Sequence, residues 1–120
     1  MIGKETDSFG IINCSDMIIY WKNVKKFIDR NDDYGNLLKK YLSNPTYKIV
    51  ENDGVLKYNY VRKYGSYDIA YHEAGYVETS KPYFMIILTQ LNKESYKKKF
   101  VNDTNKLLLN INKILNERED

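Results

Sequence analysis

The chain has 120 residues, enough for one small domain with a single core. Its hydrophobic content of 42% and charged content of 29% are typical of a folded protein and exclude a disordered one. No apolar run approaches the ~20 residues of a membrane helix, and the net charge of +3 is spread over predicted helices that also carry carboxylates. We therefore expect solvated helix faces, no membrane span and no nucleic-acid partner.

The first part of the chain is predicted to be mostly helical. Residues 1–13 show no hydrophobic period and are expected to form a loose arm without the apolar core of a signal peptide, which leaves the chain, as written, in the cytoplasm. Ser15 is predicted to cap a first helix. Its apolar residues recur at helical spacing, at Met17, Tyr20, Trp21, Val24, Phe27 and Ile28. A second, short helix is predicted over residues 36–42, and residues 51–54 are predicted to form a turn.

From residue 55 the hydrophobic period changes from helical to alternating, which predicts strands. The first strand is expected to end at Gly65, and the second to cover residues 69–79 with a bulge at 73–75. The third begins at Tyr83 and ends at Leu91, and its nearly unbroken apolar run indicates a strand in the middle of a sheet. A long helix over residues 95–117, capped by Ser95, ends the chain.

These elements predict a single α+β domain over residues 1–120. We expect a three-stranded antiparallel meander, flanked by an N-terminal helix that packs beside the long C-terminal helix.

The motif Lys63-Tyr64-Gly65-Ser66 is the strongest candidate for a binding site. On an edge strand, backbone groups can pair with an extended ligand, and a glycine permits close approach. Lys63 would supply a positive charge for a carboxylate, and Ser66 could donate a hydrogen bond to the same group. The structural alternative is an exposed lysine at a strand end followed by a bulge glycine.

Other reactive side chains give no prediction of chemistry. His72 is the single histidine and has no metal-type ligand set around it in the sequence, and Cys14 is the single cysteine, without a basic neighbour. Ser95 and Lys98 have the spacing Ser-x-x-Lys, but Ser95 fits a helix cap. No catalytic residue, metal ligand or cofactor is therefore predicted.

The order of strands and helix around Lys63-Tyr64-Gly65-Ser66 resembles the C-terminal part of class A β-lactamases and related penicillin-recognising serine hydrolases of bacteria. The motif lies where the family has Lys-Thr-Gly, with Tyr64 in place of threonine. Residues 13–17 resemble the short segment that opens a helix before the Lys-Thr-Gly strand in the family. Residues 72–75 and the apolar strand that follows extend the resemblance. The family's Ser-x-x-Lys nucleophile and Ser-Asp-Asn motifs are absent before Lys63.

The resemblance implies acyl transfer from a β-lactam or a D-alanyl peptide to a serine. This chain would contribute Lys63, Tyr64, Gly65 and Ser66 to substrate binding and would be inactive alone, because the nucleophile is missing. Full-length relatives usually work outside the cytoplasmic membrane. The third strand would also lack its neighbours, so we expect its edge to pair with a second copy or with a complementary chain.

Two alternatives to the hydrolase remain. The chain could be a non-catalytic module that binds peptide or cell-wall fragments along Lys63 to Ser66. It could also be an unrelated small α+β interaction domain in which the motif is coincidental.

Overall fold

The structure is a computed structural model that describes residues 4–6, 9–51 and 58–119, with side chains from 12 to 51 and from 58 to 115. Its elements follow in chain order: β1 (Lys4–Thr6), β2 (Phe9–Ile11), α1 (Cys14–Asp29), α2 (Asp33–Ser43), β3 (Tyr60–Tyr67), β4 (Ala70–Val77), β5 (Tyr83–Gln90) and α3 (Glu94–Glu119). The predicted α+β class is confirmed, because β3, β4 and β5 form an antiparallel meander in that order. The loose arm predicted over 1–13 is wrong where the chain is described, since β1 and β2 pair as a short hairpin.

Both N-terminal helices begin at side-chain caps. The Asn13 side chain accepts a hydrogen bond from the Asp16 N–H at 2.9 Å and caps α1. The predicted cap at Ser15 is therefore wrong by two residues, since Ser15 lies inside the helix. Asp32 caps α2 in the same way, through the Gly35 N–H at 2.8 Å. A Cβ atom at Gly35 would lie 2.7 Å from the Phe27 carbonyl oxygen, so the glycine lets α2 start close against α1.

The strand register is continuous across the meander. Lys63 lies opposite Ala74 and Gly65 opposite His72, so β3 continues past the predicted break at Gly65. The one-to-one pairing of β4 with both neighbours also excludes the predicted bulge at 73–75. A two-residue connection joins β3 to β4, with Asp68 in the left-handed region at φ 53, a conformation that aspartate tolerates better than most residues.

Helices cover both faces of the sheet. Successive side chains along a strand point to opposite faces, so each strand contributes to two separate clusters. On the first face, called the α1 face, the buried side chains of Val61, Ala74 and Tyr76 in the sheet form one cluster with Trp21 and Ile28 of α1. On the second, the α3 face, the buried cluster joins strands to α3 and consists of Val50, Tyr60, Val77, Met85 and Leu108. The prediction that the N-terminal helix packs beside the C-terminal helix is therefore wrong, since the sheet separates them.

The apolar strand β5 lies at an edge of the sheet, and β4 is the central strand. The predicted middle position is therefore wrong. The apolar run that suggested it arises because both faces of this edge strand are covered. Ile86 packs against the cluster on the α1 face and Ile87 against the cluster on the α3 face. Double coverage produces the same apolar run as a central position.

A buried ion pair on the α3 face joins the central strand to the segment before β3. Glu73 is fully buried, and its carboxylate accepts hydrogen bonds from the backbone N–H groups of Ile49 at 2.8 Å and Val50 at 3.2 Å. The buried Arg62 guanidinium lies 3.4 Å from the same carboxylate and also donates to the Val50 carbonyl. These bonds hold residues 49–50 over the sheet.

Candidate functional site

The outer half of β3 presents unpaired backbone groups along an edge of the sheet. The Asn59 carbonyl accepts from the Glu78 N–H at 2.9 Å, which sets the alternation of hydrogen bonds between β3 and β4. In the register described above, Lys63 and Gly65 turn their backbone groups toward β4, whereas Tyr64 and Ser66 turn theirs outward. Within the described ranges, no backbone group pairs with the outward groups of Tyr64 and Ser66.

One of the outward backbone groups, the Tyr64 carbonyl, is hydrogen-bonded by the Lys63 side chain. This side chain is exposed, and its ammonium group donates a hydrogen bond to the Tyr64 carbonyl at 2.6 Å. A lysine at this place discourages unspecific strand pairing, because an incoming N–H must displace it from the carbonyl.

A groove, called the edge groove, runs beside the same backbone groups. It has a volume of about 470 Å³ and lies between β3 and the segment that ends α2 and follows it. Its walls carry Tyr41 and Tyr47, which are 69% and 70% exposed. The Tyr47 ring lies 5.9 Å from the Tyr64 ring, so an extended ligand at the β3 edge would meet aromatic surface.

On the α3 face the edge continues into a polar depression of about 430 Å³. The Tyr64 ring meets the Tyr71 ring edge to face at 5.7 Å, and the Lys97 ammonium lies 5.3 Å from the Tyr71 ring centre. Burial raises the pKa of Tyr71, with further contributions from Tyr64 and the Glu73 charge. Tyr71 therefore remains a neutral phenol in the physiological range.

On the α1 face the strand borders a cavity, called the apolar cavity, of about 480 Å³. Lys63, Gly65 and His72 lie along it on the sheet side. The His72 Nδ1 atom accepts a hydrogen bond from the Thr89 N–H at 3.0 Å. In the neutral imidazole the proton is therefore on Nε2, which leaves an N–H donor on the free side of the ring.

The structure brings the four predicted residues Lys63, Tyr64, Gly65 and Ser66 together on one exposed edge. Gly65 lies within a regular strand and is not a bulge glycine. The binding role of the four residues stays a prediction.

Sequence reasoning missed the surroundings of this edge. Tyr41 and Tyr47 line the edge groove. Trp21, which was predicted only as a core residue of the first helix, also lines the apolar cavity. The one available signal was the unusual count of 12 tyrosines.

The remaining candidates take part in ordinary structure. Cys14 is exposed in the first turn of α1. Ser95 is the second residue of α3, which begins at Glu94. The prediction that Ser95 caps this helix is therefore wrong, since a cap precedes the first helical residue. Among the described side chains, no group of three or more His, Cys, Asp or Glu residues is arranged to hold a metal ion.

No protein-family model matches this chain, and no curated protein matches it. In the described part of the chain, none of the helices combines the length and apolarity that crossing a membrane requires.

Proposed function

We propose that the chain is a non-catalytic binding module that takes up an extended peptide as a further strand on β3. The observation that carries this proposal is the outward N–H and C=O groups of Tyr64 and Ser66, which form an open edge beside the edge groove. Strand addition to an exposed edge is a common mode of peptide recognition.

Backbone pairing gives such a complex a modest affinity. Each new hydrogen bond contributes a net ~0.5–1.5 kcal/mol. The two groups on each of Tyr64 and Ser66 allow up to four bonds, which together amount to about 2–6 kcal/mol. Because association itself is costly, side-chain contacts with the tyrosines of the edge groove are needed for binding in the micromolar range.

Lys63 gives the site a preference for acidic ligands. When a peptide N–H takes its place at the Tyr64 carbonyl, the ammonium group is released and can pair with a carboxylate on the ligand. The neighbouring depression on the α3 face is bordered by Lys97, Lys98 and Glu94. Because Glu94 pairs with Lys97 at 3.3 Å, the net charge added there is that of one lysine. We therefore expect peptides with an acidic side chain or a free carboxyl terminus to bind best.

Selection from a library of displayed random peptides, followed by titration of the synthetic peptide obtained, tests the proposal. The decisive variant is Ser66→Pro, because proline removes the outward N–H and is tolerated on the open side of an edge strand. Its matched control is Ser66→Ala, which keeps the N–H and removes only the hydroxyl. We expect Ser66→Pro to weaken binding about tenfold or more and Ser66→Ala to weaken it much less. Equal effects of the two variants, or no selected peptide, would contradict strand addition.

The resemblance to penicillin-recognising hydrolases leads to a second proposal for the same residues. In it, the chain corresponds to the substrate-binding part of such an enzyme, and Lys63 to Ser66 form the strand that positions a lactam or D-alanyl peptide. The edge position of β3, followed by two antiparallel strands and a long helix, supports this view.

We further propose that two copies associate through β5, whose outer edge also lacks a strand neighbour in the described sheet. The Leu91 N–H donates to the Ile69 carbonyl at 2.8 Å, so the register turns the backbone groups of Phe84, Ile86 and Leu88 outward. The sequence from Tyr83 to Asn92 contains no charged residue and no proline that would hinder self-pairing.

Sedimentation over a range of concentrations measures this association. We expect a dimer for the native chain and for Ile86→Val, and a monomer for Ile86→Pro, which lacks the outward N–H. A native chain that stays monomeric at every concentration would contradict it.

A further inference from the structure

The apolar cavity on the α1 face has the dimensions of a small-molecule site. Its volume of about 480 Å³ falls within the roughly 300–1,000 Å³ of ligand cavities in proteins. The sheet forms its floor, and α1 and α2 form its walls. The apolar lining comes mainly from Met17, Trp21, Val24, Leu38, Leu42 and Leu88.

Small residues of the sheet leave this space open. A Cβ atom built on Gly65 meets nothing within 4 Å, and Ala74 beside it on β4 carries only a methyl group. A larger side chain at Gly65 would therefore enter open space without disturbing the strand pairing.

The polar groups on the wall of the cavity belong to Lys63, His72, Tyr20, Tyr64 and Trp21, and none of them is a carboxylate. Lys63 is exposed at the β3 side, and His72 has an N–H donor on Nε2 because its Nδ1 atom accepts from Thr89. Among the described residues that line the cavity there is no carboxylate. A cation and a donor beside apolar walls favour a ligand with an apolar body and an anionic end.

We propose that the apolar cavity binds a small hydrophobic carboxylate, with its body between α1 and the sheet and its carboxylate at Lys63. This site adjoins the proposed peptide site and shares Lys63 and Tyr64 with it, but the two ligands would occupy different space. The cavity lies over the α1 face, whereas the outward groups of Tyr64 and Ser66 lie in the plane of the sheet.

Tryptophan fluorescence can follow binding, since Trp21 is the only tryptophan and lines the cavity. The probe is decanoate, kept below its micelle-forming concentration, and the matched uncharged probe is decanol. We expect a saturable change in Trp21 emission with decanoate and an affinity about tenfold lower for decanol, as the loss of one charge-assisted contact implies. Equal affinities would overturn the role of Lys63, and the absence of a saturable change would overturn the site.

A graded pair of variants locates the ligand. Gly65→Phe fills the open space and should abolish decanoate binding, whereas Gly65→Ala adds one methyl group and should weaken binding only slightly. Urea denaturation checks that both variants fold. Undiminished binding to a folded Gly65→Phe variant would place the ligand elsewhere and overturn the proposal.

A second variant decides the matter independently of any change in the sheet. Lys63→Met should lower the affinity for decanoate to that for decanol and leave decanol binding unchanged. Ser66→Pro, which blocks strand addition, should leave decanoate binding unaffected. The failure of the peptide proposal and the failure of this one are therefore distinguishable.

Discussion

Replacing Glu73 with alanine removes the acceptor on which the buried ion pair depends. The backbone N–H groups of Ile49 and Val50 would lose their partner, and each buried N–H left unpaired costs about 1–3 kcal/mol. The Arg62 guanidinium, which is 1% exposed, would lose its counter-charge. Removal of one member of a buried ion pair costs roughly 3–5 kcal/mol. We expect Glu73→Ala to lower the free energy of unfolding by the same amount.

Urea denaturation followed by Trp21 emission measures this loss, since Trp21 is 2% exposed in the folded chain. The midpoint should fall while the slope stays unchanged, because the surface exposed on unfolding is nearly the same. The expected loss is a large part of the total stability of about 5–15 kcal/mol that is typical of native proteins.

An exposed ion pair of the same chemistry serves as the control. Lys25 and Asp29 lie 2.5 Å apart on successive turns of α1, with the Asp29 side chain 53% exposed. Asp29→Asn should change stability by less than about 0.5 kcal/mol, because water screens such pairs. A Glu73→Ala variant that loses less than about 1 kcal/mol would refute the reasoning that the buried pair holds residues 49–50 over the sheet.

Three further predictions concern packing, pH and catalysis. Gly75→Ala should destabilise the fold by about 3 kcal/mol or more, because its Cβ would overlap the backbone of β3, whereas Gly65→Ala should change urea stability by less than about 0.5 kcal/mol. Burial raises the pKa of Tyr60 and Tyr76 above the usual value of 10.0. A raised pKa in the folded state contributes stability below the unfolded pKa that is lost as pH rises through the folded value, so urea midpoints should fall in alkali. They should fall less in the Tyr60→Phe variant, where only Tyr76 of the two contributes, and identical alkaline profiles would contradict this. The chain should neither hydrolyse the chromogenic lactam nitrocefin nor gain mass with penicillin, and turnover would contradict a non-catalytic role.

Much of the fold follows from local signals in the sequence. Apolar patterns predicted β4 and β5 to within two residues, and helical periodicity with polar start signals predicted α1, α2 and α3 to within a few. The first strand was predicted from residue 55, whereas β3 begins at Tyr60, and residues 52–57, with most of the predicted turn, lie outside the described ranges. The predicted break at Gly65 is wrong because a glycine opposite His72 is tolerated on an exposed edge, where its missing side chain costs no core packing.

The arrangement of the layers did not follow from the sequence. An apolar stripe indicates that a helix packs against other elements, but it does not indicate which face of the sheet it packs on. The position of α1 and α3 on opposite faces could therefore not be predicted. The unbroken apolar run of β5 likewise has two explanations, a central position or an edge strand covered on both faces, and only the packing of Ile86 and Ile87 distinguishes them.

The candidate site was predictable only where it is local. Lys63 to Ser66 form one continuous motif, so their exposure on a common strand could be expected. Tyr47 and Trp21 reach the same strand from elements far apart in sequence, and no spacing rule relates them to Lys63. Their roles depend on tertiary packing.

Amide hydrogen exchange along β3, measured by NMR with and without a selected peptide, tests the central claim most directly. In the free protein, we expect the outward amides of Tyr64 and Ser66 to exchange fast and those of Lys63 and Gly65, which pair with β4, to exchange slowly. Saturating peptide should slow exchange at Tyr64 and Ser66 and change little at Lys63 and Gly65. Slow exchange at all four amides in the free protein, or no slowing at Tyr64 and Ser66 with bound peptide, would contradict strand addition at this edge.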